Sequence, residues 1–187
     1  VAQDTTRYGL DLYGERRLPQ LLQALCRIDG VEWIRLHYLY PDEITEQLID
    51  TIAHEDKIVK YLDIPIQHVN DRILRAMNRR GDHAFLDALF TKLRARIPGL
   101  VLRTSLIVGL PGETEAEFEE LCDFLAAHHI ERAGAFAYSP EAGTPAAAMP
   151  DQIDEGTKAR RVELLSALAA RLMDDWNQAQ LGKTLPI

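Results

Sequence analysis

The sequence predicts an α/β fold built on a parallel sheet, and three observations carry that expectation. Segments rich in strand formers begin near residues 33, 61, 101 and 133, a spacing of roughly 30–40 residues that suits one βα module. Between them, apolar residues recur at i, i+3, i+4 and i+7, as on helices with one buried face. The chain has 187 residues, 47% of them apolar and 27% charged, so one domain can bury a core without a disulfide or a metal. Right-handed crossovers then fit either a barrel or a doubly wound sheet, and in both the ligands gather at the carboxyl ends of the strands.

The opening Val1-Ala2-Gln3-Asp4 reads as the end of a strand, and with no Met at the start the chain is expected to be a fragment. Leu18, Leu21, Leu22, Leu25 and Ile28 mark a helix that stops at Asp29-Gly30. Trp33 to Tyr38 follows as a strand, and Pro41-Asp42 ends it and opens a helix carrying Ile44, Leu48, Ile49 and Ile52. Tyr61 to Ile66 reads as a short strand with Pro65 near its end, followed by helical stretches from Asp71 to Met77 and from His83 to Ile97. Pro98-Gly99 turns the chain into Leu100 to Val108, the most apolar strand, and Gly109 to Gly112 turns it into a helix with Phe118, Leu121, Cys122 and Leu125. Ala133 to Tyr138 is a strand of small residues, and Ser139 to Pro150 a loop rich in Pro, Gly and Ala. Thr157 to Leu181 is a long helix with Val162, Leu165, Leu168, Leu172 and Trp176 inward. Five strands in all are expected to alternate with helices.

Charge narrows the function classes. Twenty-one basic against 29 acidic side chains give a net charge of −8, which argues against broad binding to a phosphate backbone, since that needs clustered Lys and Arg. No apolar run approaches the roughly 18 residues of a membrane span, and a cytoplasmic protein is expected. Cys26 and Cys122 lie alone inside helical patterns, which suits reduced core thiols better than a disulfide or a metal site.

The strand ends are unusually polar or small, and Gln3 to Thr6, His37-Tyr38, Gln67-His68, Gly109 to Glu113 and Tyr138-Ser139 should open onto one rim. In Ile107-Val108-Gly109-Leu110-Pro111-Gly112-Glu113-Thr114 two glycines let backbone approach a flat or anionic ligand. Equally, the segment makes a tight βα turn in which Glu113 complements a helix dipole. Its spacing matches neither a dinucleotide fingerprint nor a phosphate loop. His54, His128 and His129 read as surface histidines. His68, beside Gln67 at a strand end, either hydrogen-bonds a ligand or helps to cap the helix that begins near Asn70. Arg79 and Arg80 either complement a helix C-terminus or present a fixed cation to a carboxylate. No nucleophile triad, zinc motif or cysteine cluster declares a reaction by itself.

Taken together, the segments Gln3-Asp4-Thr5-Thr6-Arg7-Tyr8-Gly9, Tyr38-Leu39-Tyr40-Pro41, Asp63-Ile64-Pro65-Ile66-Gln67-His68, Met77-Asn78-Arg79-Arg80-Gly81, Gly109 to Thr114, and Tyr138-Ser139-Pro140-Glu141 with Gly143 to Ala147 resemble the radical S-adenosylmethionine (SAM) methylthiotransferases. The Gln-Asp-Thr-Thr and Gln-His versions are similar to the branch that methylthiolates an aspartate of a small-subunit ribosomal protein. The resemblance covers essentially the whole chain and implies a partial TIM-like (β/α) barrel of the radical SAM type, with the first strand missing. Residues 1–181 would be the barrel core, incomplete at its N-terminus, and residues 182–187 the start of a linker to an absent C-terminal β domain.

The resemblance also implies SAM and two [4Fe-4S] clusters in the complete protein, with a 5′-deoxyadenosyl radical formed by reductive cleavage. None of the clusters would be ligated by this chain, since the family's C-x-x-x-C-x-x-C loop is absent from it and Fe–S clusters need several converging thiolates; alone, the chain is expected to be inactive. Carried over residue by residue, Gln3 and Asp4 match the strand end facing the methionyl amine of SAM, and Gln67 and His68 the ribose side. Ile107, Gly109 and Glu113 lie in the stretch matching the adenine support, with Glu113 displaced by one position from the broader pattern. Arg79 or Arg80 would pair with the SAM carboxylate, and Tyr138 and Ser139 would offer backbone to adenine. The expected partner is a small-subunit ribosomal protein, with no membrane, no direct nucleic acid binding by this domain, and a monomeric state. A tRNA-modifying methylthiotransferase and a cluster-free binding module are the rival readings.

Overall fold

The computed structural model describes residues 3–184. Its centre is a four-stranded, all-parallel sheet in sequential order, β1 (Ile34–Leu36), β2 (Ile58–Asp63), β3 (Val101–Val108) and β4 (Arg132–Ala137). The helices α1 (Leu10–Tyr13), α2 (Leu18–Cys26), α3 (Glu46–His54), α4 (Asp71–Ala76), α5 (His83–Arg96), α6 (Glu115–Ala127) and α7 (Glu155–Gln178) complete the βα alternation. Sequential order with parallel pairing is a barrel-type arrangement, in contrast to a doubly wound sheet, whose order reverses at a switch point.

β3 shows why the layers form. Its even residues Leu102, Thr104, Leu106 and Val108 are buried against helices, and its odd residues Val101, Arg103, Ser105 and Ile107 are only half-buried on the inner face. Strand side chains alternate between faces, so one strand supplies both the core and the lining of a cleft. Each of the fully buried aliphatic residues contributes about 1.5–3 kcal/mol. Helix starts follow their caps: Thr45, Asn70, Asp82, Thr114 and Asp154 all accept backbone N–H bonds, and Thr114 with Glu117 forms a capping box.

Several expectations are corrected. Four strands lie among the described residues, not five; the strand end expected at the opening falls partly outside them, and Thr5–Arg7 is a single 3-10 turn. The first strand is three residues, because Trp33 is exposed and Tyr38 adopts a left-handed φ of 57° that ends the ladder. β2 begins three residues before Tyr61 and stops at Asp63, where Pro65 removes a ladder donor. The chain rejoins the sheet at Gln67, which bridges to Leu106. Pro41 opens a short 3-10 turn, with α3 starting only after Thr45. His128, expected at the surface, is buried at the end of α6, stacked 4.3 Å from the Phe124 ring with Nε2 3.1 Å from Asp87 Oδ1. No helix among the described residues is long and apolar enough to cross a membrane.

Candidate functional site at the strand-end rim

Two cavities meet at the carboxyl ends of the strands and share Gln67 and Ile107. The first, about 490 Å³, is lined by Ser105, Phe136, Tyr138, Ser139 and Thr144 in addition to the shared pair. The second, about 910 Å³, takes in Gln3, Asp4, Tyr40, Asn78, Arg79 and Arg80. An apolar slot of about 360 Å³ adjoins them between α4 and the loop after β4, with Met77, Leu110 and Met149 in its walls. The first cavity and the slot have the largely apolar lining with a few placed polar groups that marks a small-molecule site, and the second is lined mostly by polar and charged residues.

Backbone conformation aims several of these side chains. Gln67 has φ 68° and is locked there by two bonds to β3, its N–H donating to Ser105 O and its carbonyl accepting from Ile107 N. Asn78, after α4, has φ 55°. Left-handed conformations cost non-glycine residues about 1–3 kcal/mol each, and such strain clusters at ligand sites. Tyr138 Oη is buried with no hydrogen-bond partner among the described residues, so the apolar wall carries one unsatisfied polar group.

The structure divides the residues singled out from sequence into two groups. Gln3, Asp4, Gln67, Arg79, Arg80, Ile107, Tyr138 and Ser139 line the cavities. Asp4 also caps the opening turn through Thr6 N, and Ser139 Oγ donates to Glu141. Arg79 is half-buried, its Nη1 donating to Pro65 O and its guanidinium 5.3 Å from the Tyr40 ring. Arg80 is exposed, 3.8 Å from Asp42.

His68, Gly109 and Glu113 lie behind the rim instead, which corrects the expectation that all the strand-end motifs open onto it. His68 is fully buried; its Nδ1 accepts from Asn70 N, and Nε2 lies 3.9 Å from Glu113 Oε2 without a bond. Burial pushes the imidazole pKa down to about 4. Glu113 is also buried, and its Oε2 accepts from the N–H groups of Gly109 and Leu110. Burial raises its pKa even though Arg161 lies 2.8 Å away and the two backbone donors favour the ionised form. A Cβ on Gly109, whose φ is 76°, would run into the Lys158 side chain. The turn is therefore held from behind by α7. Arg72 adds a clamp from α4, donating to both Glu117 oxygens at 2.7 Å and to Gly112 O, and it pulls the Glu117 carboxyl down to about 2.

Ser105, Phe136 and Thr144 were missed from the sequence, as were Lys158 and Arg161, both buried on α7. A signal for the last two was present: Lys158 and Arg161 sit three residues apart on the stripe that continues in steps of four through Leu165 and Ala169, and a charge on a buried stripe needs a partner.

Comparison with known proteins places this geometry. Residues 8–125 match the Radical SAM superfamily. Over all 187 residues the chain is 50% identical to a protein of Anaeromyxobacter sp. (strain Fw109-5), and 46% identical to one of Alkaliphilus oremlandii, both named ribosomal protein uS12 methylthiotransferase RimO. The chain spans 40% and 43% of those proteins' lengths. Among solved structures, coproporphyrinogen III oxidase (HemN) of Escherichia coli, a radical SAM enzyme, superposes with a TM-score of 0.61 at 22% identity, over 83% of this chain and 36% of its own. SuiB of Streptococcus suis superposes with a TM-score of 0.58 at 15% identity, over 90% of this chain and 35% of its own. The fold is the partial TIM-like barrel that the resemblance implied, and the chain belongs to the radical SAM superfamily.

Proposed function

We propose that this chain is the barrel core of a methylthiotransferase that, as the complete protein, adds a methylthio group to an aspartate of ribosomal protein uS12, a reaction of the cytoplasm. The observation that carries the reading is the identity of 46–51% along the whole chain to relatives named for that activity. Residues 1–181 would form the barrel core and 182–187 lead onward; residues 185–187 lie outside the described residues.

The superfamily implies SAM and iron–sulfur clusters. Among the described residues no three His, Cys, Asp or Glu side chains gather to hold a metal. Cys26 is buried in α2 and Cys122 half-buried in α6, so these residues do not fit a cluster. The rim does fit SAM, on the strength of the unpartnered Tyr138 hydroxyl in a wall where Ile107 and Phe136 alternate with Gln67, Ser105 and Thr144. Gln67 and Ile107, where the two cavities meet, would take the nucleoside, with Tyr138 and Ser139 beside the adenine. Gln3, Asp4 and one of Arg79 and Arg80 would face the methionyl end. When bound, SAM supplies hydrogen-abstraction chemistry and a methyl group. Arg79, anchored on Pro65 O, is the arginine better prepared to hold a carboxylate without losing side-chain entropy. His68, Gly109 and Glu113 act by shaping the turn.

Deleting the gene in its source organism tests the proposal. Mass spectrometry is expected to show uS12 without its methylthio group and tRNA unchanged. Loss of a methylthio group from tRNA, with uS12 still modified, would replace this reading with the RNA-modifying one.

A further inference from the structure

Below the rim, the inner face of the sheet carries charges that the SAM site leaves unused. Pleating and register place Arg35 of β1, Asp63 of β2, Arg103 of β3 and Arg132 of β4 opposite the helix-packed Leu36, Leu62 and Leu102, and His37 follows just after β1. Three arginines thus share one face of the sheet with a single aspartate, in a chain whose net charge is −8. Asp63 has a fully buried side chain that fixes Arg103 through a 2.7 Å bond to Nη1, with His37 Nδ1 3.6 Å from its other oxygen. Arg103 keeps 39% of its side chain exposed, and Asp63 takes only one of its N–H donors. Arg35 lies over the Tyr61 ring at 3.9 Å and Arg132 over the Trp176 ring at 5.1 Å. Neither has a carboxylate partner among the described residues, so stacking orients their charge without cancelling it.

This patch forms the floor of the cleft whose rim was described above. Arg103 shares its face with Ser105 and Ile107, about 7 Å below Ser105 along the strand. A groove of about 380 Å³ leads from Arg103 and Arg132 past Gly134 and Ala135, over the free edge of β4, to Met173 of α7. Glu131, also in that groove, is already paired with Arg94 at 2.7 Å. The way in is therefore lined by small residues and ends on Arg132, which has no carboxylate partner among the described residues, and on Arg103, which keeps donors that Asp63 does not take.

We propose that this basic floor receives the carboxylate of the substrate's acidic side chain, with Arg103 as the contact and Arg35 and Arg132 as supporting charge, the peptide entering over the β4 edge. The inference rests on the reading that the substrate is a protein aspartate, and it assigns the residues that select it. A guanidinium already held by a buried carboxylate offers its remaining donors as a fixed fork, which suits a carboxylate and wastes a positive charge on an amide.

The test uses the complete protein and a labelled uS12 peptide that carries either the target aspartate or asparagine at that place, with binding read by fluorescence anisotropy. The wild type is expected to bind the aspartate peptide about tenfold more tightly, as befits one desolvated charge pair. Arg103→Met should bring the two peptides within about twofold of each other, since the charge discrimination is gone. Because Arg103→Met leaves buried Asp63 without its guanidinium, Arg132→Met, which touches no buried carboxylate, is the second variant. It should narrow the preference to about threefold while SAM binding stays unchanged. Equal affinity of the wild type for both peptides, or a full preference retained by both variants, overturns the proposal. Failure of the wild type to modify uS12 at all overturns the functional reading instead.

Discussion

Gln67 and His68 are neighbours in sequence and belong to two regions that differ in nearly every physical respect. Gln67 is half-buried, holds a left-handed φ, and turns into the two cavities at the rim. His68 is fully buried on the far side, among Glu113, Arg161 and the capped start of α4. On the open side the polar groups line two cavities with room for a ligand beside them, Gln67 foremost; on the closed side they mostly bond one another, with His68 Nε2 and Arg161 Nε left unpartnered among the described residues, and Glu113 alone ties Gly109, Leu110 and Arg161 together. The difference teaches that the shape of the rim is set by residues that never reach it. A substitution behind the rim should register in stability, and one at the rim in affinity.

The largest expected effect comes from breaking the closed side. Glu113→Gln leaves Arg161, with 4% of its side chain exposed, with the half-exposed Glu115 carboxylate at 3.2 Å as its remaining charged partner, and removing one member of a buried ion pair costs about 3–5 kcal/mol. Urea denaturation of the chain measures it; Arg161→Met in addition should recover much of the loss, because the guanidinium that lost its buried partner is then gone as well. A loss below about 1 kcal/mol, ordinary for a surface site, would show that the turn does not depend on this pair.

Acid should sharpen the same contrast. In the fold His68 stays neutral down to about pH 4, whereas the unfolded chain takes up that proton near 6.5. Stability is thus fully present above pH 6.5 and falls as the pH drops toward 4, by about 3 kcal/mol for a shift of this size. His128, whose pKa is also lowered by burial, titrates in the same direction, so the measurement is the difference between wild type and His68→Gln across that window. Parallel pH profiles for the two would remove His68 from the buried network.

The smallest effect belongs to the open side. Gln67→Ala should weaken SAM binding to the complete protein by about 1 kcal/mol, the net worth of one hydrogen bond, and leave the midpoint of unfolding almost unmoved. Calorimetry that shows unchanged affinity takes Gln67 out of the site; a large loss of stability would instead place it with His68.

What hydrophobic spacing could show, it showed well. The alternation of apolar residues located all four strands to within three residues at their starts and put Gln67, Tyr138 and Ser139 at a common rim, because a strand or helix period is a local property of the chain. The buried histidine at 128 escaped that kind of reading. Its neighbours Ala127 and His129 and the polar end of α6 look like a surface, and only the rings of Phe90 and Phe124 make the position a core site.

By itself, then, the sequence determined the α/β class, the order of its elements, and which segments meet at the carboxyl ends of the strands. The tertiary structure alone decided which polar residues are spent on the fold and which are left for chemistry. Glu113 finds Arg161 across 48 positions and Asp63 finds Arg103 across 40. Periodicity extends over one element at a time, whereas the desolvation that makes such charges seek each other is a property of the packed interior.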